Sequence, residues 1–326
     1  MIIISIVLFQ DPEGGKLSPY WVTGFADAES TFVIRVSKTN RKQCWRILPI
    51  FSIELHIKDI SLLRQILYFF GVGTIIIRKR KGRTTGIFSV QSIKDLNDVI
   101  IPHFIKYTLL TKKRIDFQIF CLIIDLMNKK EHLNLKGISE IIGLKNFMNK
   151  GLSEKLKKAF PSPTRMGDLN LERTNISLCK KSTSVDFYPE IKDPQWLTGF
   201  VDGEGCFYVK IRKSILRKSQ VSLVFSISQH ARDLLLFTHI KNYLGCGIIE
   251  QISTRRNAVF LVVYNYNDIL NKIIPFFEKY SLMSAKLLDY QDFYKVAFMI
   301  KEKIHLTEEG IYNICQIKSN MNKGRK

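Results

Sequence analysis

The chain has 326 residues, a mean hydropathy near zero and 46% hydrophobic residues, which gives room for two folded cores and excludes a disordered basic tail. Its net charge of +21 and pI near 9.7 call for a polyanionic partner, most simply nucleic acid, whose affinity falls as salt rises. No apolar run approaches the ~20 residues of a spanning helix, and the basic residues fall in strand-like and loop-like stretches instead of on one amphipathic helix, so no membrane partner is expected.

The opening stretch from Met1 to Phe9 is apolar but lacks the basic start of a signal peptide and the Arg-rich pattern of a transit peptide. Asp11 to Gly15 then breaks it, and residues 1–18 are expected to lie outside the fold. Richness in Ile, Lys, Asn and Phe suggests an AT-rich, organellar genome, here mitochondrial, and an organelle-encoded protein needs no import signal. The six cysteines, Cys44, Cys121, Cys179, Cys206, Cys246 and Cys315, show no paired spacing of the kind zinc sites use, and are read as reduced thiols.

Next comes Trp21-Val-Thr-Gly-Phe-Ala-Asp-Ala-Glu-Ser-Thr-Phe32, an apolar helix-like run with small residues four apart at Gly24 and Ala28 and a terminal acid at Glu29. Alternating β-branched and polar residues over 32–38 and 45–55, around a basic turn at 38–42, predict a hairpin. A helix over Ile60 to Phe70 is stopped by Gly71 and Gly73. A second hairpin follows, from Thr74 to Gly82 and from Thr85 to Val90, and helices beginning near Lys94 and Lys112 close the half. The order α-β-β-α-β-β-α predicts an α+β half, a sheet with helices on one face.

The second half repeats the first. Trp196-Leu-Thr-Gly-Phe-Val-Asp-Gly-Glu-Gly-Cys-Phe207 restates the opening run, with Gly199 and Gly203 four apart and Glu204 at the same step as Glu29. Gly71 and Gly73 recur as Gly245 and Gly247, Pro102 as Pro275, and even the tails match, His132 with His305 and Met148 to Gly151 with Met321 to Gly324. The predicted layout is residues 19–160 as one repeat, 161–189 as a Pro-, Ser- and Asn-rich linker, and 190–326 as the other. Small faces four residues apart allow two such helices to press backbone to backbone and to bring their terminal carboxylates together, a pair able to hold a divalent metal.

Both runs resemble the LAGLIDADG motif of homing endonucleases, with Thr23 to Glu29 and Thr198 to Glu204 standing where that family has its signature. The resemblance implies a single-chain, pseudo-twofold monomer in which the motif helices form the axis and two antiparallel sheets form a DNA-binding saddle. It implies a metal-dependent double-strand break in a long, weakly palindromic target, with on the order of ten base pairs per half. Glu29 and Glu204 are the implied metal ligands and Mg²⁺ the implied ion, whereas Asp27 and Asp202 are expected to bond local backbone groups. Gln229 falls where the resemblance implies a residue that orients water or metal, but its first-half counterpart is Leu55, so the site is expected to be asymmetric. Lys113 and Lys286, an aligned pair, are candidates for stabilising the phosphorane charge.

Two-stranded ribbons fit the major groove of B-DNA, where outward period-2 side chains can read base edges. The candidates are Arg35, Ser37, Lys38, Asn40, Arg46, Arg78 and Arg80 in the first half, and Lys210, Arg212, Lys213, Arg217, Gln220, Gln251 and Arg255 in the second. Taken singly, each reads as a solvated edge. Two other functions use the same basic sheets, an RNA maturase that assists splicing of its own intron RNA and a non-catalytic DNA-binding relative.

The first copy departs from the motif at one place. After the acid the second copy has Gly205 and the first has Ser30. A glycine just past a helix end commonly turns left-handed, which costs a residue with a Cβ about 1 kcal/mol or more, so Ser30 is expected either to strain the turn or to shift it, and a shift would move Glu29 and slow one strand cut.

Overall fold

The computed structural model describes residues 3–4, 16–39, 45–80, 82–161, 190–212, 220–252 and 257–325. The predicted linker at 161–189 therefore lies, beyond its first residue, outside the described residues. In chain order the first half gives strand β1 (Ile3–Ile4), helix α1 (Pro19–Glu29), β2 (Ser30–Lys38), β3 (Trp45–His56), α2 (Ile60–Phe70), β4 (Thr74–Arg80) and β5 (Arg83–Val90). Helices α3 (Ile93–Asp95), α4 (Ile101–Lys106), α5 (Lys113–Asn128), α6 (Leu135–Lys145) and α7 (Glu154–Ala159) complete it. The second half gives α8 (Pro194–Glu204), β6 (Gly205–Arg212), β7 (Gln220–His230), α9 (Leu234–Leu244), β8 (Ile248–Ile252) and β9 (Ala258–Val263), then α10 (Tyr266–Asp268), α11 (Ile274–Lys279), α12 (Lys286–Lys301) and α13 (Glu308–Ser319). The predicted order holds in both halves, and α6, α7 and α13 extend it.

Both sheets are antiparallel, ordered β1-β4-β5-β3-β2 and β6-β7-β9-β8. Ile3 and Ile4 pair with Ile76 and Ile75, and Leu17 is buried. The opening stretch therefore supplies two edge residues and one core residue, where none was expected. The period-2 alternation of β2 buries Phe32 and Ile34 while exposing Arg35 and Ser37 on the opposite face. Helix α2 ends where predicted because Gly71 takes a left-handed φ of 67° and its N–H bonds to the Leu67 carbonyl; Gly245 ends α9 at φ 64° with its N–H on the Asn242 carbonyl.

The core beneath each sheet is an aromatic cluster written twice. Phe32 packs on Phe51, Phe104, Phe117 and Phe120 at ring separations of 5.1 to 5.5 Å. Phe207 packs on Phe225, Phe277, Tyr290 and Phe293 at 5.0 to 5.4 Å. The single change of type, Phe117 to Tyr290, brings a hydroxyl that is satisfied by the Ile274 carbonyl at 3.1 Å. Each half also carries a π-helical turn, Leu96–Ile100 and Ile269–Ile273, just before its proline. Pro102 and Pro275 have no N–H and their rings crowd the carbonyl four residues back. Widening the preceding turn moves the pairing to the fifth residue back, Ile101 to Leu96 and Ile274 to Ile269.

The duplicated tails act as clasps. Asn149, at φ 50°, gives its backbone N–H to Asp116 and its side-chain amide to the Phe32 carbonyl. Asn322, at φ 55°, gives the same groups to Asp289 and the Phe207 carbonyl. Asparagine tolerates the left-handed conformation, and its amide ties the tail to the first core strand.

The chain forms two compact units, Met1–Pro19 with Glu29–Phe187 and Tyr20–Ala28 with Tyr188–Lys326. The first repeat thus lends its motif helix to the compact unit of the second.

Candidate active site and nucleic-acid face

Within the second unit, α1 and α8 lie backbone to backbone. A Cβ built on Gly24 would stand 1.9 Å from the Trp196 carbonyl oxygen, and one on Gly199 would stand 2.1 Å from that of Trp21. No side chain fits at either position. The approach is made by the first small residue of each run, and a pair of bonds crosses it. Trp21 Nε1 donates to Asp202 Oδ2 at 2.8 Å, and Trp196 Nε1 donates to Asp27 Oδ2 at 2.9 Å. Asp27, Asp202 and both tryptophans are buried. Asp202 further accepts from the Met283 and Ser284 N–H groups at 2.9 and 3.0 Å and from the Ser284 hydroxyl at 2.6 Å. Burial pushes its carboxyl above the usual carboxylate range, and these four donors oppose that rise. The expected bonding to local backbone is not what Asp202 shows: its backbone donors lie 81 and 82 residues on in sequence, and the tryptophan partners are across the helix pair.

Glu204 ends α8 one step beyond this packed segment and is partly exposed. Gln229, near the end of β7, donates through Nε2 to Glu204 Oε1 at 3.1 Å and takes the His230 N–H on its own Oε1 at 2.9 Å. The glutamine is held on one side by backbone and holds the acid on the other. The strand register confirms its counterpart: Gly205 pairs Ile227 as Ser30 pairs Ile53, so Leu55 stands at the Gln229 position, buried.

Lys286 starts α12 and turns its ammonium to the end of α8. It donates to the Val201 carbonyl at 3.1 Å, the Gly203 carbonyl at 2.9 Å and, closer still, the Gly205 carbonyl. Three donors on three carbonyls cap the helix that carries Glu204, a positioning geometry. Lys113 starts α5 in the same way, with its backbone N–H on the Thr111 hydroxyl at 3.2 Å as that of Lys286 is on Ser284. Glu29 ends α1 and is partly exposed.

The turn expected to strain Ser30 does not exist. Gly205 has φ −80° and ψ 158°, extended backbone that any residue adopts, and Ser30 is the first residue of β2 with no positive φ. Glycine is required at 205 for a different reason. A Cβ there would stand 2.5 Å from Val201 Cγ1 and 2.7 Å from the Val201 carbonyl.

On the outer face of the first sheet, Arg35 and Ser37 pair Leu48 and Arg46, and Arg78 and Arg80 pair Thr85 and Arg83. On the second, Lys210 pairs Ser222 and Arg212 pairs Gln220. Two candidates fall on the opposite face. Lys38 pairs Trp45, lying 5.8 Å from its ring centroid, and Trp45 itself packs on Phe160. Gln251 pairs Val259, which is fully buried. A period of two makes a one-residue slip in reading a strand into a change of face. Asn40, Lys213, Arg217 and Arg255 lie outside the described residues. Sequence reasoning missed Glu54, Arg83 and Thr85, which with Arg78 and Arg80 line one open depression on the first sheet; outward parity with the arginines was the available signal.

Among the described residues no helix is long and apolar enough to cross a membrane. The family model described as LAGLIDADG endonuclease matches residues 22–124 and 197–297. The chain is 38% identical over 307 residues to probable intron-encoded endonuclease 2 of Neurospora crassa, covering 94% of this chain and 65% of that protein. It is 34% identical to probable intron-encoded endonuclease 3 of the same fungus, covering 92% and 53%. The chain thus spans between about half and two thirds of the length of these relatives. Its fold is similar to a crystal structure of the meganuclease I-SmaMI bound to DNA, with 41% identity, a TM-score of 0.85 and coverage of 96% of this chain and 100% of that one. It is also similar to the LAGLIDADG homing endonuclease I-GzeII in complex with its DNA target, with 37% identity, a TM-score of 0.81 and coverage of 95% and 100%. With the motif present twice, each copy closing a helix that is locked by a glycine contact and a crossed Trp–Asp bond, the chain belongs to the LAGLIDADG endonuclease family.

Proposed function

We propose that this chain is a site-specific homing endonuclease that makes a metal-dependent double-strand break in a long DNA target. The observation that carries the reading is the support of Glu204, whose helix is capped by Lys286 and whose carboxylate is held by Gln229. A structural helix end has no use for a partly exposed acid held so firmly.

Glu29 and Glu204 are the proposed metal ligands, and Mg²⁺ the proposed ion. Their donor chemistry fits, since carboxylate oxygens are the hard ligands such an ion takes, few in number, with water and substrate phosphate completing the shell. When bound, the ion supplies a water acidic enough to attack phosphorus and charge to offset the leaving 3′ oxygen. The chain's own contribution is placement. Gln229 fixes one oxygen of Glu204, Lys286 fixes the helix end, and the outward arginines and lysines neutralise phosphates and set the register of the duplex.

The protein acts as a monomer because both motif copies lie in one chain. Its coding sequence is proposed to lie in a mitochondrial intron, as the names of its intron-encoded relatives support. The test is cleavage of a plasmid library with and without Mg²⁺, repeated with Glu204→Gln. Cleavage should need the metal and fall at least a hundredfold in the variant, with duplex binding retained and a log-log salt slope of about −0.9 per phosphate contact. Undiminished cutting by the variant would refute the catalytic assignment. Binding that is flat in salt for duplex DNA but tight for folded intron RNA would make the chain a maturase.

A further inference from the structure

The depression on the first sheet holds a carboxylate where a phosphate-binding surface has reason to exclude one. Glu54 on β3 is exposed and accepts from the Thr85 hydroxyl on β5 at 2.8 Å through Oε1. Arg78 and Arg80 on β4 and Arg83 on β5 line the same depression, Arg78 directly across from Thr85 and Arg80 from Arg83. Among the described residues none of these arginines forms an ion pair, with Glu54 or with any other acid. The acid is therefore oriented by a buried hydroxyl and not consumed by the cations beside it.

An acid on a DNA-facing sheet weakens every non-specific contact, because the backbone it approaches is negative. Such a group is useful only if it meets a donor on a base edge. In the major groove the carboxylate partner is the cytosine N4 amino group, and the bidentate partner of arginine is guanine O6 and N7. One cluster thus has both halves of a reader for a cytosine–guanine pair. The positions of the second sheet that match Glu54, Arg78 and Thr85 are Ser228, Ile252 and Ala258, fixed by the pairings of Ile252 with Ala258 and of Ala258 with His230. These three bring no charge, and the counterparts of Arg80 and Arg83 lie outside the described residues.

We propose that Glu54 is a specificity-determining residue that accepts from a cytosine amino group while a neighbouring arginine reads guanine, in the half of the target served by the first sheet only. The proposal rests on the reading of the chain as a sequence-specific DNA endonuclease. A merely spacing acid, one that keeps three arginines apart, would change affinity for all sequences alike.

The test is selection of binding sites from a pool of randomised duplexes by the full chain and by its Glu54→Gln and Glu54→Ala variants, with thermal melts to show that both fold. The parent should prefer cytosine at one position by about tenfold or more. Glutamine keeps an acceptor for Thr85 and adds a donor, so its preference should move to adenine at that position, and alanine should accept all four bases there. If all three proteins enrich the same site with the same preference at every position, Glu54 does not read a base. If the parent enriches no common sequence, the endonuclease reading fails and this inference with it.

Discussion

The two motif helices both run straight into a strand after the acid, and they differ in the side chains around that junction. After α8 come Gly205 and a valine four residues back, Val201, whose γ-carbon and carbonyl oxygen both crowd a Cβ built at 205, the γ-carbon more closely. After α1 the same two positions are Ser30 and Ala26, both buried. Alanine has no γ-carbon, so volume removed at one position is spent at its neighbour four residues on. What looks in sequence like decay of the first motif is an exchange of volume between adjacent positions. The copies are free to diverge wherever total volume is kept, and not where two backbones touch.

That contrast can be broken first where the copies agree. Gly24→Ala and Gly199→Ala each drive a methyl into a carbonyl across the helix pair. Each should cost about 3 kcal/mol or more by denaturant unfolding, and to similar extents. A cost below about 1 kcal/mol in either copy would mean that the helices can separate there.

The volume exchange is sharpened by Gly205→Ser, which should cost about 2–3 kcal/mol, and by Val201→Ala added to it, which should recover at least about 1 kcal/mol of that loss. Additivity of the two changes would dismiss the compensation.

A third contrast lies at the rims of the cores, where both side chains are partly exposed. His103, packed edge-on against Phe69, Phe70 and Phe104, stands where the second repeat has Phe276, itself edge-on to Phe277. Burial pushes the His103 imidazole down to about 4 from its ordinary 6.5. The native state keeps it neutral where the unfolded chain takes up a proton, so stability is full above about pH 6.5 and drains away toward pH 4, by on the order of 2 kcal/mol. His103→Phe should flatten that part of the pH–stability curve. An unchanged slope would assign the acid sensitivity to other groups.

The smallest effect is expected at Ser30→Gly. With no left-handed turn to relieve, glycine only loosens the start of β2 and should cost about 0.5–1 kcal/mol, the opposite sign to the gain that a strained serine would give.

Periodicity made the hairpins and α2 legible to within a residue or two, because apolar alternation and the Gly71 stop are local signals. The motif acids were legible because they occur twice. The crossed Trp–Asp bonds were not, since a tryptophan in an apolar run gives no sign of where its N–H points. The faces of Lys38 and Gln251 were missed because both sit at strand ends, where exposure no longer follows the alternation. The tail asparagines were visible as a repeat, but their role depends on a carbonyl more than a hundred residues away.

The loan of α1 to the second unit also sets an order of events during synthesis. Trp21 finds its acceptor 181 residues later, so the apolar flank formed by Trp21, Val22 and Phe25 emerges long before its cover exists. A nascent first half must carry a sticky helix until α8 arrives, and closing so large a loop is slow. A separately expressed first half faces the same vacancy permanently, and the partner at hand is the motif helix of another copy. The duplicated gene thus retains, in the way one helix waits for the other, the habits of a dimer.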